Sequence, residues 1–288
     1  MTIKRTIKRT TERTTERMTE RTTERLIARA MPTPIAWLML QCLLLFLALI
    51  SAVWNLAALL LYPLLPRAAG RRLGRAGIAL GYRLFWTVAG ASGMLRMDAR
   101  ALDALADERG LIVVANHPSL LDALMIVARL PHSACVMKAS LQRNPLLGPG
   151  ARLARYIRND SPRGLIRLAV DDLREGGQLV MFPEGTRTVG GKVGGKVGGK
   201  LGGKLGAFRS GFAAISRRAQ VPVQAVFIDT DSPYLGKGWP LWRLPPLPSE
   251  FTVRLGRRFE PPTNADAMVQ EVERYFAAGI QRTGRYAK

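Results

Sequence analysis

The sequence predicts an α/β fold: a mixed, largely parallel sheet covered by helices, preceded by an N-terminal membrane-associated helical segment. Three observations lead there. From about residue 93, short apolar runs alternate with stretches of helical pattern roughly 10–15 residues long. The run Leu111-Ile112-Val113-Val114-Ala115 reads as a buried strand, and Ala123-Leu124-Met125-Ile126-Val127-Ala128 behind it as an apolar helix. Finally, no charged residue occurs between Ala30 and Pro66.

In chain order, residues 1–30 come first, built on Ile-Lys-Arg-Thr and Thr-Glu-Arg repeats. This threonine-rich, charged arm holds too little apolar surface for a core and reads as disordered or weakly helical. Residues 31–92 follow as membrane-associated helices. Ile35 to Tyr62 would make a helix about 42 Å long at ~1.5 Å per residue, longer than the ~30 Å hydrocarbon core of a bilayer. A cleaved signal peptide and a buried soluble helix are the minor readings of this run. Arginines flank both its ends (Arg25 and Arg29; Arg67, Arg71, Arg72 and Arg75), so the positive-inside rule gives no vote on orientation. Residues 68–90 mix arginines with Leu73, Ile78, Leu80, Phe85 and Trp86, an interfacial composition. A two-helix membrane-bound lead-in is therefore favoured over a single clean span.

Residues 93–288 form the α/β domain. Strands are expected at 111–116, 134–137, 155–158, 178–182, 222–228 and 251–256. Helices are expected at 101–108, 120–129, 145–154, 162–175, 209–219 and 265–279. A Gly/Lys insertion at 189–206 repeats Val-Gly-Gly-Lys and its variants, reading as a flexible tract, solvated or brushing a membrane. A phosphate-cradling loop would need one shaped turn opening a helix, which a uniform repeat does not supply. Trp239 and Trp242, among Pro240, Pro245, Pro246 and Pro248, mark an irregular loop of interfacial character with no readable motif.

The formal net charge is +22. Removing the +5 of residues 1–30 and the +4 of the lysine repeat leaves +13 on the remainder, so the body itself is basic. Anionic membrane and nucleic acid both fit such a balance. Aromatic residues at 7% with no basic-aromatic interleaving argue against nucleic acid. Two histidines and two scattered cysteines do not build a zinc site or a disulfide framework; no metal is expected, and Cys42 and Cys135 read as reduced thiols.

Two clusters carry the chemistry. In Asn116-His117-Pro118-Ser119-Leu120-Leu121-Asp122 a histidine stands where a strand ends and a helix begins, the edge at which open α/β sheets place their sites. With Pro118 at the first helical position, Asp122 lies one turn in and can reach back to His117. A carboxylate on one ring nitrogen fixes the tautomer and leaves the other free as a base. The alternative is a histidine that caps a buried helix. His132, after Pro131, reads as structural. The second cluster, Phe182-Pro183-Glu184-Gly185-Thr186-Arg187-Thr188, also follows an apolar strand. Gly185 permits a tight turn, Thr186 offers a hydroxyl, Arg187 a fork suited to phosphate, and Glu184 an acceptor for polyol hydroxyls. Taken alone, such a turn fits capping as well as binding. No Gly-x-Ser-x-Gly elbow is present, and a base without an enzyme nucleophile points to direct activation of a substrate hydroxyl.

The two clusters resemble the His-x4-Asp and Phe-Pro-Glu-Gly-Thr-Arg signatures of the 1-acylglycerol-3-phosphate acyltransferase (glycerophospholipid acyltransferase) family. Val136-Met137-Lys138 and Asn144-Pro145-Leu146-Leu147-Gly148 are similar to its intervening segment. Tyr156-Ile157-Arg158 is similar to its second block, and Val221-Pro222-Val223 to its fourth. The resemblance runs from about residue 75 to 260. It implies a membrane-bound enzyme that acylates the free hydroxyl of 1-acylglycerol-3-phosphate, or another lysophospholipid or lipid alcohol. The co-substrate would be an acyl-CoA or acyl carrier protein thioester, with no bound cofactor. His117 would be the general base, oriented by Asp122. Glu184, Gly185, Thr186, Arg187 and Arg158 would bind the acceptor, and Pro222 would mark the acyl-donor region. Membrane lipids and, as one donor option, acyl carrier protein would be the partners, at the cytoplasmic face of the inner membrane. Ala154-Arg155-Tyr156 departs from the family's usual Gly and Phe, and the two repeats have no counterpart in it. A basic membrane or nucleic-acid binding protein without catalysis is the contrasting expectation.

Overall fold

The structure is a computed structural model that describes residues 32–144, 147–188 and 205–286. The repeat arm, the body of the Gly/Lys insertion, and Pro145 and Leu146 lie outside the described residues.

Two long helices lead in. The first, α1 (Thr33–Leu61), has proline in its first turn, where a missing N–H costs nothing. Pro63 and Pro66 stop it, and α2 (Arg67–Ala91) returns antiparallel along it. Only 17% of the most apolar window of α1 is buried, far less than in the core helix of a soluble protein. Yet α1 is not detached from the domain. Ala36, Leu40 and Leu43 join the main core, and the buried Asn55 accepts the Gly150 N–H at 2.8 Å. Its outer side leaves Leu38, Leu45, Leu49, Val53, Leu56 and Leu60 exposed.

α2 is fastened more firmly. Its arginines were expected to flank or line a membrane interface, but Arg75 is buried. It donates to Asp172 at 2.6 Å, to Ala154 O at 3.1 Å and to His132 O at 2.8 Å. Arg71 pairs with Asp172 and Glu175 beside it, and Arg83 donates to Ala128 O at 2.6 Å. Gly74 is required here, because a Cβ would stand 2.4 Å from the backbone nitrogen of Ala154.

The domain then runs β1 (Leu95–Asp98), a 3-10 turn (Arg100–Leu105), β2 (Leu111–Ala115), α3 (Asp122–Arg129), β3 (Ser133–Lys138), α4 (Ala139–Arg143), α5 (Gly148–Leu153) and β4 (Ile157–Asn159). After these come α6 (Pro162–Arg174), β5 (Gln178–Met181), α7 (Gly211–Ala219), β6 (Val223–Thr230), β7 (Ser249–Phe259) and α8 (Ala265–Tyr286). One seven-stranded sheet has the order β1-β7-β6-β2-β5-β3-β4. Every neighbouring pair is parallel except β6 with β7. This is the mixed, mostly parallel sheet the sequence predicts, with the edge strand β1 added. Side chains alternate between two faces. Leu111, Val113 and Ala115 face a core shared with α1, α2 and α3, whereas Ile112 and Val114 face α6, α7 and α8.

Three local expectations shift. The helix expected over 145–154 is only the shorter α5, and α4 precedes it at residues where no helix was expected. The strand expected from 155 starts at Ile157, because Arg155 takes a left-handed φ of 57°. The helix after His117 begins at Asp122, not at Pro118. Residues 118–121 form a turn instead, so His117 and Asp122 meet across that turn.

Candidate active site

The site grows from the register of two neighbouring strands. β2 and β5 are parallel, with Val114 opposite Met181. Both strands end at the same sheet edge, so the segments that leave them, from Asn116 and from Phe182, emerge side by side. Asn116 fastens the first departure: its amide donates to Ile228 O and accepts the Ile228 N–H, both at 2.8 Å. A side chain thereby continues the ladder where the backbone turns away. Phe182 stacks on the His117 ring, with centroids 4.1 Å apart and planes 21° from parallel.

His117 Nδ1 lies 2.8 Å from Asp122 Oδ2, which also accepts the Ser119 N–H at 2.8 Å. The His117 side chain is 16% exposed and that of Asp122 fully buried. Burial pushes the Asp122 carboxyl up to about 6, against the opposing pull of the His117 hydrogen bond and charge and of the Ser119 N–H. With Asp122 ionised, Nδ1 must carry the ring proton, which leaves Nε2 as the basic lone pair. Nε2 bonds to none of the described residues. The pair is thus a base with one fixed tautomer, open on its outer nitrogen.

The second cluster braces the first. The His117 N–H donates to Thr188 Oγ1 at 3.0 Å, and the Thr188 N–H returns to His117 O at 2.7 Å. The Thr188 hydroxyl donates to Glu184 Oε1 at 2.5 Å, and Glu184 Oε2 accepts the Gly206 N–H at 2.9 Å. Glu184 is therefore buried within the chain's own bonds. Gly185 sits at φ +66°, and a Cβ there would fall 2.7 Å from Arg209 Nε. That contact places Arg209, which sequence reasoning passed over, against the turn. Thr186 is exposed. Arg187 Nη1 donates to Leu235 O at 2.9 Å and Gly236 O at 2.8 Å, which fixes its direction.

A third segment, from the loop between β6 and β7, also escaped the sequence. Tyr234 O accepts the Ser119 hydroxyl at 2.9 Å, and Leu235 O accepts the Leu120 N–H at 3.1 Å. The remaining expected residues are not drawn in. Arg158, on β4, shares the edge but stands three strands from β2, about 14 Å at ~4.8 Å per strand. It is exposed and 3.5 Å from Asp160. Pro222 is at the opposite edge, its carbonyl accepting the Ile112 N–H at 3.1 Å, level with Leu111 and about 20 Å of strand away from His117.

The family whose model matches is described as "Acyltransferase" and covers residues 96–229. A lysophosphatidylcholine acyltransferase of Drosophila melanogaster is 34% identical over 157 residues, 49% of this chain and 28% of that protein. A 1-acyl-sn-glycerol-3-phosphate acyltransferase of Limnanthes alba is 28% identical over 162 residues, 54% of this chain and 50% of that protein. The chain thus spans half or less of the curated relatives it matches. The crystal structure of PlsC, the 1-acyl-sn-glycerophosphate (LPA) acyltransferase of Thermotoga maritima, superposes with a TM-score of 0.59 at 20% identity. That likeness covers 86% of this chain and 97% of that one, and it establishes the shared fold. Residues 96–229, the stretch that the acyltransferase family model matches, hold His117, Asp122 and the whole 182–188 turn.

Proposed function

We propose that this chain transfers a fatty acyl group from an acyl thioester to the free hydroxyl of 1-acylglycerol-3-phosphate at a membrane surface, giving phosphatidic acid. The observation that carries the reading is the His117–Asp122 pair, with Nδ1 held at 2.8 Å and the outer nitrogen open. Nε2 takes the proton of the acceptor hydroxyl as its oxygen attacks the thioester carbonyl carbon. The tetrahedral intermediate collapses, the C–S bond breaks, and the departing thiolate receives the proton from the imidazolium. Asp122 holds the ring and stabilises its charge between the two transfers. No enzyme nucleophile is needed, because the hydroxyl reacts directly.

Arg187 is the first choice for the acceptor phosphate, being one residue from Thr188, whose backbone is bonded to that of His117. Arg209 beside Gly185 adds a second cation, and Arg158 contributes field rather than contact. Glu184 and Gly185 shape the turn, and Thr186 offers a hydroxyl at the surface. The donor is acyl-CoA or acyl-carrier-protein thioester. Pro222 would act on it only indirectly, given its place at the far edge.

The exposed apolar side of α1 supports attachment to a membrane. Because α1 folds back on α2 and on the domain, a two-helix lead-in returns the chain to the side on which α1 starts. That arrangement suits a domain on the cytoplasmic face of the inner membrane. The rival reading uses the same base on a different lysophospholipid, since one relative is named a lysophosphatidylcholine acyltransferase. An acceptor panel with defined acyl thioesters decides between them. Lysophosphatidate should be acylated fastest; no product from it, with product from another lyso-lipid, removes the leading reading. A basic binding protein without catalysis would show no thioester-dependent product with any acceptor.

A further inference from the structure

The loop between β6 and β7 faces two ways. Its inner side closes on the site through the carbonyls of Tyr234, Leu235 and Gly236. Its outer side presents Leu241 and Trp242, 53% and 71% exposed. A single exposed apolar residue is ordinary, but these two do not stand alone. The indole N–H of Trp37, in the first turns of α1, donates to Trp242 O at 2.7 Å. Two segments 205 residues apart thus form one apolar surface that continues into exposed Ile35 and Leu38. Among the described residues, α1 is the one helix long and apolar enough to cross a membrane.

The loop tip is ordered by its own contacts. The Arg243 guanidinium lies over the Trp239 ring at 4.5 Å, and Trp239 Nε1–H donates back to Arg243 O at 3.1 Å. Exposed Lys237 and Arg243 rim the apolar tip. Indole rings concentrate at the headgroup level of bilayers, and a basic rim favours anionic lipid.

We infer that Trp239–Arg243 is an interfacial anchor that enters the headgroup region of an anionic bilayer beside α1. The same loop holds Arg187, so the acceptor side of the site opens at the lipid surface and is steadied by it. The anchor is additional to the attachment by α1 and rests on that attachment. The test uses the full chain with Cys42→Ser, since Cys135 is buried. An environment-sensitive fluorophore goes on Leu241→Cys or, as a control, on Arg217→Cys of α7, which packs on the other face of the sheet. Vesicles of phosphatidylcholine and phosphatidylglycerol are added, with and without headgroup-proximal brominated lipid.

The anchor predicts a blue shift and bromine quenching at 241, neither at 217, and loss of both when Trp242→Asp is added while the protein still sediments with vesicles. Protein that sediments while the 241 probe stays in water overturns the anchor and leaves α1 attachment standing. Equal burial of both probes overturns the stated orientation, and failure to sediment at all overturns anchor and membrane attachment together.

Discussion

Asp122 and Asp172 are two buried carboxylates built alike and partnered differently. Each has one oxygen in a short bond and the other without a partner among the described residues: Asp122 Oδ2 faces His117, and Asp172 Oδ1 faces Arg75. The partner makes the difference. Imidazole gains and loses a proton near neutrality, whereas guanidinium stays charged throughout. The first pair can cycle between charge states while its geometry holds. The second holds one charge state and joins α2 to α6, fixing the helical lead-in to the domain. A buried carboxylate therefore says little about role until its partner is known.

The largest effect that tests this contrast is on turnover. Asp122→Asn keeps the shape but places an amide donor toward Nδ1, which favours the wrong tautomer; acyl transfer should drop by about 10³–10⁴. His117→Ala should do at least as much. Both variants should still melt as folded, cooperative proteins, shifted by a few degrees as the buried carboxyl loses its partner or its charge, read by calorimetry in detergent. A melting temperature that collapses with activity would make the pair a structural cap. Next comes the other carboxylate. Arg75→Met leaves Asp172 buried beside only the part-buried Arg71, and should destabilise by about 3–5 kcal/mol. The folded fraction should keep its turnover. Adding Asp172→Leu should recover most of the loss, because replacing both charges removes the uncompensated one. Non-recovery in that double variant would show a role beyond fastening.

The pH dependence separates function from stability with opposite signs. Asp122 titrates at about 6 in the fold, above its ordinary 3.8, because burial dominates. Turnover should therefore fall as pH drops through about 6, when protonation removes the acceptor for Nδ1–H. The apparent midpoint belongs to the pair. The stability term runs the other way. The folded state binds this proton more tightly than the unfolded chain, so the contribution is full below about 4 and is lost as pH rises through about 6. Plotting melting temperature against pH for the parent minus Asp122→Asn should give a downward slope over that window. A rising difference would mean that pairing, not burial, sets the Asp122 carboxyl.

How far the sequence could be read follows from what kind of atom does the work. His117, Asp122 and the 182–188 turn were legible because their chemistry lies in side chains at strand ends. The strands of the central sheet were legible because buried runs leave an apolar signature. The edge strand β1 escaped: Leu95-Arg96-Met97-Asp98 is short and half-exposed, and it follows α2 after a brief turn. The wall made by residues 234–236 escaped for a different reason. It acts through carbonyl oxygens, which every residue possesses, so no residue type marks it. Arg75 was visible as a charge, but its partner lies 97 residues away, and nothing local tells a lipid-facing arginine from a buried one.

Glu184 gives the smallest effect and the finest discrimination. Sequence reasoning placed it on the acceptor, yet both its oxygens are engaged by Thr188 and Gly206, and it lies 5% exposed. Glu184→Gln keeps size and one acceptor oxygen, but turns the other position into a donor. That donor must face either the Gly206 N–H or the Thr188 hydroxyl, which can rotate and accept. If Glu184 braces the turn, the variant should lose about 1–3 kcal/mol of stability, the cost of an unsatisfied buried group. Its acceptor KM should change little relative to kcat, because the loosened element is the support of His117. If Glu184 instead holds the acceptor, stability should stay near that of the parent and KM should rise alone. Calorimetry and steady-state kinetics on the one variant decide which, and Thr188→Val should reproduce the bracing pattern, because it removes the same hydroxyl link from the other side.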